Sequence, residues 1–208
     1  MNAGFSNLAS LKAQLLAASL RTRTDWDTQL RALGLGVAAA ISAHCNRDFA
    51  RAVGDAYTTS GGRQSLILPR YPVETVSAIE TRDSAADAWA DALASLDYTD
   101  TRSGVVRFET PLAEGGQIRV TYTGGYFWDT KEPTEAGYPT ATPAGAATIP
   151  DNVVTAWHLQ CEALWRAKDK LGTKIKDEPE AGGSVLTNIE LIPAVRAMLA
   201  PFVRYALT

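Results

Sequence analysis

The chain has 208 residues, 46% of them hydrophobic and 21% charged, with a formal net charge of −3. This length and balance suit one soluble globular domain with appendages, able to bury a core without disulfides or metals. The net negative charge argues against general affinity for a nucleic-acid backbone.

The charge is unevenly placed. Residues 1–51 carry six Lys/Arg and three acids, residues 52–150 carry seven and thirteen, and residues 151–208 carry seven of each. The acidic excess therefore sits in the middle, and a solvated strand-and-turn surface is its plainest reading. Two cysteines occur, Cys45 and Cys161, with no CxxC pair. Both fall on apolar helical stripes and read as buried free thiols, as in a reducing cytoplasm. Met1 to Leu20 lacks a basic start followed by an apolar run, so no signal peptide is expected. No stretch approaches the ~18 consecutive apolar residues of a membrane span.

Leu8, Leu11 and Leu15 recur at helical spacing, and a helix is expected over residues 7–20. A polar turn follows, and Thr24 with Asp27 is expected to cap a second helix over 25–50. Trp26, Leu30, Leu33, Val37, Ile41, Cys45 and Phe49 form its apolar face. Gly34 and Gly36 weaken that helix and invite close approach of another backbone.

The pattern then changes to a β-rich region, residues 57–126. Ser65 to Leu68 reads as a short strand ended by Pro69, and Val73 to Ile79 as another, begun by Pro72 on a sheet edge. Residues 83–96 are ambiguous. Val106 and Phe108 alternate with Arg107 and Glu109, and Ile118, Val120 and Tyr122 alternate with Arg119 and Thr121. Joined by a link rich in Pro and Gly, these two strands read as an antiparallel hairpin in a small sheet or sandwich.

Residues 127–148 show no period and read as a long loop. Ile149-Pro-Asp151 opens a helix over 151–170 with Asp151 as its cap, striped by Val154, Trp157, Cys161, Leu164 and Trp165. Residues 172–188 read as a polar linker or arm. A last short helix begins at Pro193, and Pro201 separates a terminal hook. The fold class is α+β, with a main body over 1–171 and a C-terminal arm over 172–208.

Reactive constellations are sparse. There is no nucleophile elbow, P-loop or dinucleotide-binding turn. His44, Cys45, His158 and Cys161 are the residue types of a zinc site, but adjacent helical residues point about 100° apart, so His44 and Cys45 do not converge. Asp83, Asp87 and Asp91 match no calcium loop, and Asp177, Glu178 and Glu180 sit in a flexible stretch. No catalytic residue, metal or cofactor is expected, which leaves a small soluble enzyme as a remote alternative.

Several stretches together resemble the head–tail connector (adaptor) proteins of tailed phages, also found in gene transfer agents. They are the N-terminal helix pair, Leu66-Ile-Leu-Pro-Arg-Tyr-Pro-Val73, Gly104-Val-Val-Arg-Phe108, Ile118-Arg-Val-Thr-Tyr-Thr-Gly-Gly-Tyr126, Ile149-Pro-Asp-Asn-Val-Val-Thr-Ala-Trp157 and Ile192-Pro-Ala-Val-Arg-Ala-Met-Leu-Ala-Pro-Phe202. The resemblance implies a helical bundle with a small β-domain. It also implies a virion protein of the neck, made in a bacterial host's cytoplasm. About twelve copies would close head to tail into a ring below the portal. DNA would only pass through the ring, and no membrane is involved. A stopper or tail-completion protein is the alternative within the neck.

On that reading, Phe127, Trp128 and Tyr138 are candidates for contact with a neighbouring subunit or a tail-side protein. Val195, Leu199, Phe202, Arg204 and Tyr205 are candidates for docking on the portal. The same C-terminal residues would equally suit a segment folded back on its own helices.

Overall fold

A computed structural model describes residues 7–131, 135–138, 140–175 and 189–204. The chain divides into two compact units. A helical unit comprises Met1–Arg47, Trp128–Ala141 and Ile149–Thr208, and a β unit comprises Asp48–Phe127 and Thr142–Thr148. Helices and antiparallel sheets together make the fold α+β, as expected.

The helical unit contains α1 (Leu8–Leu15), α2 (Asp27–Cys45), α3 (Asp151–Ile175) and α4 (Pro193–Leu199). α1 packs on α2 and α3, and α3 packs on α2 and α4. Leu11, Leu30, Val37, Ile41, Cys45, Val153, Trp157, Cys161, Val195 and Leu199 are fully buried there. Burying each such side chain is worth about 1.5–3 kcal/mol, so this apolar core is what holds the unit together.

Helix boundaries differ from expectation for local reasons. α1 stops at Leu15 rather than reaching residue 20, and only a 3-10 turn at Ala18–Leu20 continues it. Arg21 takes the freed carbonyls, its Nη2 donating to Ala13 O at 2.8 Å and its Nε to Leu16 O at 3.2 Å. Thr24 does not cap α2. The N-cap is Trp26, and Thr24 contributes only its carbonyl, which accepts from Asp27 N–H at 3.1 Å. The Asp27 carboxylate instead meets Lys12 Nζ at 2.5 Å, joining α1 to α2.

α2 also ends early, at Cys45 rather than residue 50. Asn46 turns left-handed with φ 49°, Asn46 N–H donates to Ala43 O, and Arg47 N–H donates to Ser42 O. That is a Schellman closure with asparagine in the glycine role. Phe49, expected on the α2 stripe, lies beyond this turn and is fully buried in the β unit against Tyr126. At the other long helix, Asp151 is the first helical residue rather than the cap, and Val154 N–H donates to Pro150 O. α3 runs on to Ile175, past the end expected at 170. Residues 176–188, the rest of the expected arm, lie outside the described residues.

The β unit begins earlier than expected, with β1 at Ala52–Ser60. β2 (Arg63–Ile67), β3 (Val73–Arg82), β4 (Ala90–Asp91), β5 (Leu96–Asp100), β6 (Val105–Leu112) and β7 (Gln117–Gly124) follow. A four-stranded sheet runs β1-β7-β3-β4 and a three-stranded sheet runs β2-β6-β5, every pairing antiparallel. Leu66, Val106 and Phe108 of one sheet share a core with Val73, Ile79, Ile118, Val120 and Tyr122 of the other. The unit is a small sandwich.

The alternation read in β6 and β7 holds, because Val106, Phe108, Ile118, Val120 and Tyr122 are all fully buried. Their pairing does not. β6 joins β2 and β5, while β7 joins β1 and β3. The link from Ala113 to Gly116 therefore crosses from one layer to the other, with positive φ at Ala113 and Gly115. Each strand turns an apolar face to the same interior, and two facing layers satisfy that as fully as one hairpin would.

After β7 the Gly124-Gly125 pair lets the chain leave the sheet. A Cβ at Gly125, where φ is 95°, would stand 2.7 Å from Ala50 O. The loop expected over 127–148 is not featureless. β8 (Tyr126–Phe127) pairs in parallel with β9 (Ala147–Thr148).

Candidate functional site

Among the described residues, the His and Cys side chains weighed in the sequence do not form a metal site. His44 is exposed on α2 beside the buried Cys45. Burial pushes the Cys45 thiol up to about 11 and the Cys161 thiol up to about 12, so neither is a ready thiolate. Among the described residues no three His, Cys, Asp or Glu side chains come together as a metal site. Asp83, Asp87 and Asp91 are exposed, and the segment holding the first two is not helical.

His158 is engaged structurally. Its Nε2 shares a 2.8 Å hydrogen bond with Ser10 Oγ, tying α3 to α1. Burial depresses its pKa below the ordinary 6.5. A histidine held neutral this way stabilises the fold above its unfolded pKa, and that contribution is lost as pH falls through the folded value. The melting temperature is therefore expected to drop on acidification below pH 6.5, and His158→Gln should flatten that part of the profile. Thermal scans at several pH values check this, and an unchanged profile in the variant would count against it.

Aromatic and amide contacts organise the helical unit around α3. Trp157 is fully buried, and its Nε1–H donates to Gly34 O at 2.9 Å. Gly34 thus receives a side chain rather than the expected backbone, and the neighbouring Gly36 leaves room for Ile189, whose Cδ1 would lie 3.1 Å from an added Cβ. Trp128 meets Trp157 edge to face, with ring centroids 6.1 Å apart. The chain after Trp128 is pinned by Asn7, whose Nδ2 donates to Asp129 O and Lys131 O, both at 3.1 Å. Asp129 in turn accepts from Thr140 N–H at 2.7 Å and Lys131 N–H at 3.0 Å. Those donors hold its carboxyl below the usual range.

The start of the C-terminal segment is fastened by the Gln160 amide. Gln160, 1% exposed, donates from Nε2 to Glu190 O at 3.1 Å and accepts from Ile192 N–H at 2.9 Å. α4 then lays Val195 and Leu199 into the core, where both are fully buried. Beyond the 3-10 turn at Ala200–Phe202, Arg204 N–H donates to Cys45 O at 2.8 Å, and Asn46 Nδ2 donates to Arg204 O at 3.4 Å. Of the alternatives left by the sequence, the described part of this segment folds back on its own helices.

The expected contact residues are accordingly divided. Phe127 is half-buried in β8, Trp128 is half-buried against Trp157, and Tyr138 is 43% exposed. Val195 and Leu199 are interior, Phe202 and Arg204 are half-buried, and Tyr205 lies outside the described residues.

Sequence reasoning passed over the polar anchors Asn7, Gln160 and Arg70. The signal for Gln160 was its place three residues after Trp157, on the face that α3 buries. Arg70 in the β unit is 2% exposed. Its Nε and Nη2 reach Asp55 and Asp48, each at 3.0 Å, and its Nη1 donates to Ala50 O. On the surface of the same unit, Trp89 carries the guanidinium groups of Arg82 and Arg119, each 4.4 Å from the ring centroid. This clamps the acidic 83–91 segment to β3 and β7.

No described helix is long and apolar enough to cross a membrane. Comparison with curated proteins gave no match. Among solved structures the chain is similar to one in the neck of an empty gene transfer agent particle computed with C6 symmetry. The TM-score is 0.54 at 15% identity, covering 97% of this chain and 90% of that one. It is likewise similar to a chain in the virion of a native gene transfer agent particle, with TM-score 0.56, 15% identity and the same coverage. These likenesses show a shared fold. The model of the head completion protein family matches residues 17–135, more than half of the chain. The connector resemblance in the motifs agrees with that match, and the chain belongs to the head completion protein family.

Proposed function

We propose that this chain is a structural subunit of a particle neck, a head–tail connector whose copies close into a ring beneath the portal and extend the DNA channel towards the tail. The observation that carries this reading is family membership, joined to a fold that follows a neck chain over 97% of its length. The site geometry supports it. The thiols are buried and raised, the one engaged histidine is a latch between helices, and the conspicuous polar groups fix chain segments in place. On this reading the chain is not an enzyme and needs no cofactor.

The division of labour follows from exposure. The acidic middle of the chain suits a lumen through which DNA slides without being gripped. Of Phe127, Trp128 and Tyr138, Tyr138 is the one exposed to a neighbour or a tail-side stopper or completion protein. Phe202 and Arg204, half-buried at the end of the folded-back segment, are its described residues left to meet the portal, because Val195 and Leu199 are committed to the core.

Removal of the gene is expected to yield DNA-filled heads and separate tails that do not join, with infectivity or transfer lost. Electron microscopy of the particles and complementation by the gene check this. Normal tailed particles in its absence would refute the reading.

A further inference from the structure

We propose that the outer edge of β1, along Asp55–Ser60, takes up an extended strand of a different neck protein, which adds to the four-stranded sheet. This rests on the ring reading above. β1 ends that sheet, and among the described residues β7 is its one strand partner. Just past β1, Gly61 N–H donates to Gly116 O at 2.8 Å, in register with the β1–β7 ladder. Antiparallel bonding alternates along a strand, so Thr59, Tyr57 and Asp55 are the positions bonded to β7. Ala56, Thr58 and Ser60 then turn both N–H and C=O away from β7, and all three are exposed.

Natural sheets blunt their edges by brevity, charge, proline or a bulge. The other three edges of this sandwich are blunted. β4 is two residues long and ends on the exposed Asp91. β2 opens on the exposed Arg63, with a register shift before Ser65. β5 carries the exposed Asp97 inside a register shift between Leu96 and Tyr98. On β1 the bulge between Ala52 and Asp55 leaves Asp55–Ser60 in regular register. That run has no lysine, arginine or proline, and its one charge, Asp55, is held by Arg70 Nε at 3.0 Å. Its Tyr-Thr-Thr centre favours extended backbone, so the edge is long, stiff and open.

The side chains along the edge describe the occupant. Ala56, Thr58 and Ser60 give the outer face a small, neutral margin. Tyr57, on the opposite face, is only partly buried against the core. A matching strand carries an apolar residue against Tyr57 and small or hydroxyl residues beside Ala56 and Thr58. Its backbone supplies the affinity and its alternate side chains the choice. A second copy does not offer such a strand among its described elements, because its other edges are blunted. Two β1 edges paired with each other would make a two-fold contact, which is complete at two copies and builds no ring. The occupant is therefore a strand of a different chain.

Hydrogen exchange at single-residue resolution tests this on the full-length protein, free and in purified particles. The amides of Ala56, Thr58 and Ser60 should exchange freely in the free protein and be slowed about a hundredfold or more in the neck. Free exchange in both states would overturn the inference while leaving the ring intact. A photo-crosslinker attached at Ser60→Cys identifies the occupant in particles, and the buried Cys45 and Cys161 leave its labelling selective. A captured peptide of a different neck protein is expected, and a captured peptide of this chain would overturn the inference. Thr58→Pro removes one outward N–H and no bond to β7, as an edge strand tolerates. It should still form the ring but restore tail joining to a gene deletion about tenfold less well or worse, whereas Thr58→Ala, which keeps the N–H, should restore it fully. Full restoration by the proline variant would overturn the inference. A chain that stays a monomer in particles would remove the ring reading, and this inference with it.

Discussion

Trp157→Ala is expected to cost about 3–5 kcal/mol of folding stability in the helical unit. The side chain is fully buried, packs against the edge of Trp128 and reaches α2 through its Nε1–H to Gly34 O. Alanine would leave a cavity where α2 and α3 meet and remove the surface on which the 128–131 segment rests. Trp157→Phe separates the contributions. It keeps most of the apolar volume and loses the indole donor, but Gly34 O sits within α2, where the helix's own backbone still supplies a hydrogen bond. The expected cost of that change is about 1–2 kcal/mol. Chemical denaturation and hydrogen exchange across α2 measure both. If the alanine variant lost less than the phenylalanine variant, Trp157 would not be the centre of this unit.

Arg70→Ala should have the next largest effect, in the β unit. Removing one partner of a fully buried ion pair costs about 3–5 kcal/mol, because the other charge is stranded. Asp48 and Asp55 retain 53% and 29% side-chain exposure and can rehydrate, so about 2–3 kcal/mol is expected. The carbonyl of Ala50 loses its guanidinium donor as well. Arg70→Lys should recover little, since one ammonium cannot span two carboxylates and a carbonyl as the planar fork does. Asp48→Ala should cost less than about 1 kcal/mol, in keeping with its exposure. Full stability in the lysine variant would show that charge alone, without the fork, holds residues 48–55 to the strand connection at Arg70.

What the sequence revealed and what it hid divide along a physical line. Periodicity reports which face of an element is buried, and there it served well, as with Leu30, Val37 and Ile41 on α2 or Val106 and Phe108 on β6. It does not report which strand pairs with which. β6 and β7 show the same alternation whether they share a hairpin or face each other across a core. The end of α2 was misplaced because Phe49 continues the helical spacing beyond Cys45, although Asn46 was the better signal. Family membership was legible in the order of the motifs. The contact between Trp128 and Trp157 was not, since it joins an aperiodic stretch to a helix. The C-terminal segment had two readings because Val195 and Leu199 suit a partner or a core equally well. The burial of Val195 and Leu199, the Gln160 bonds to Glu190 and Ile192, and the bond from Arg204 N–H to Cys45 O decide between them.

The chain order of the strands bears on how the molecule is made. β1 and β3 both find their partner in β7, so Tyr57 waits for Val120 and Ile79 waits for the same residue. On a ribosome these strands emerge with unpaired backbone until residue 124 is clear of the exit tunnel. The helical unit waits longer, since α1 and α2 are completed by α3, which begins only at Asp151. Pairings so distant in sequence slow folding and prolong the life of sticky intermediates. Synthesis of this subunit should therefore be the chaperone-dependent stage of its life, and truncated chains ending before Asp151 should aggregate rather than yield a functional half.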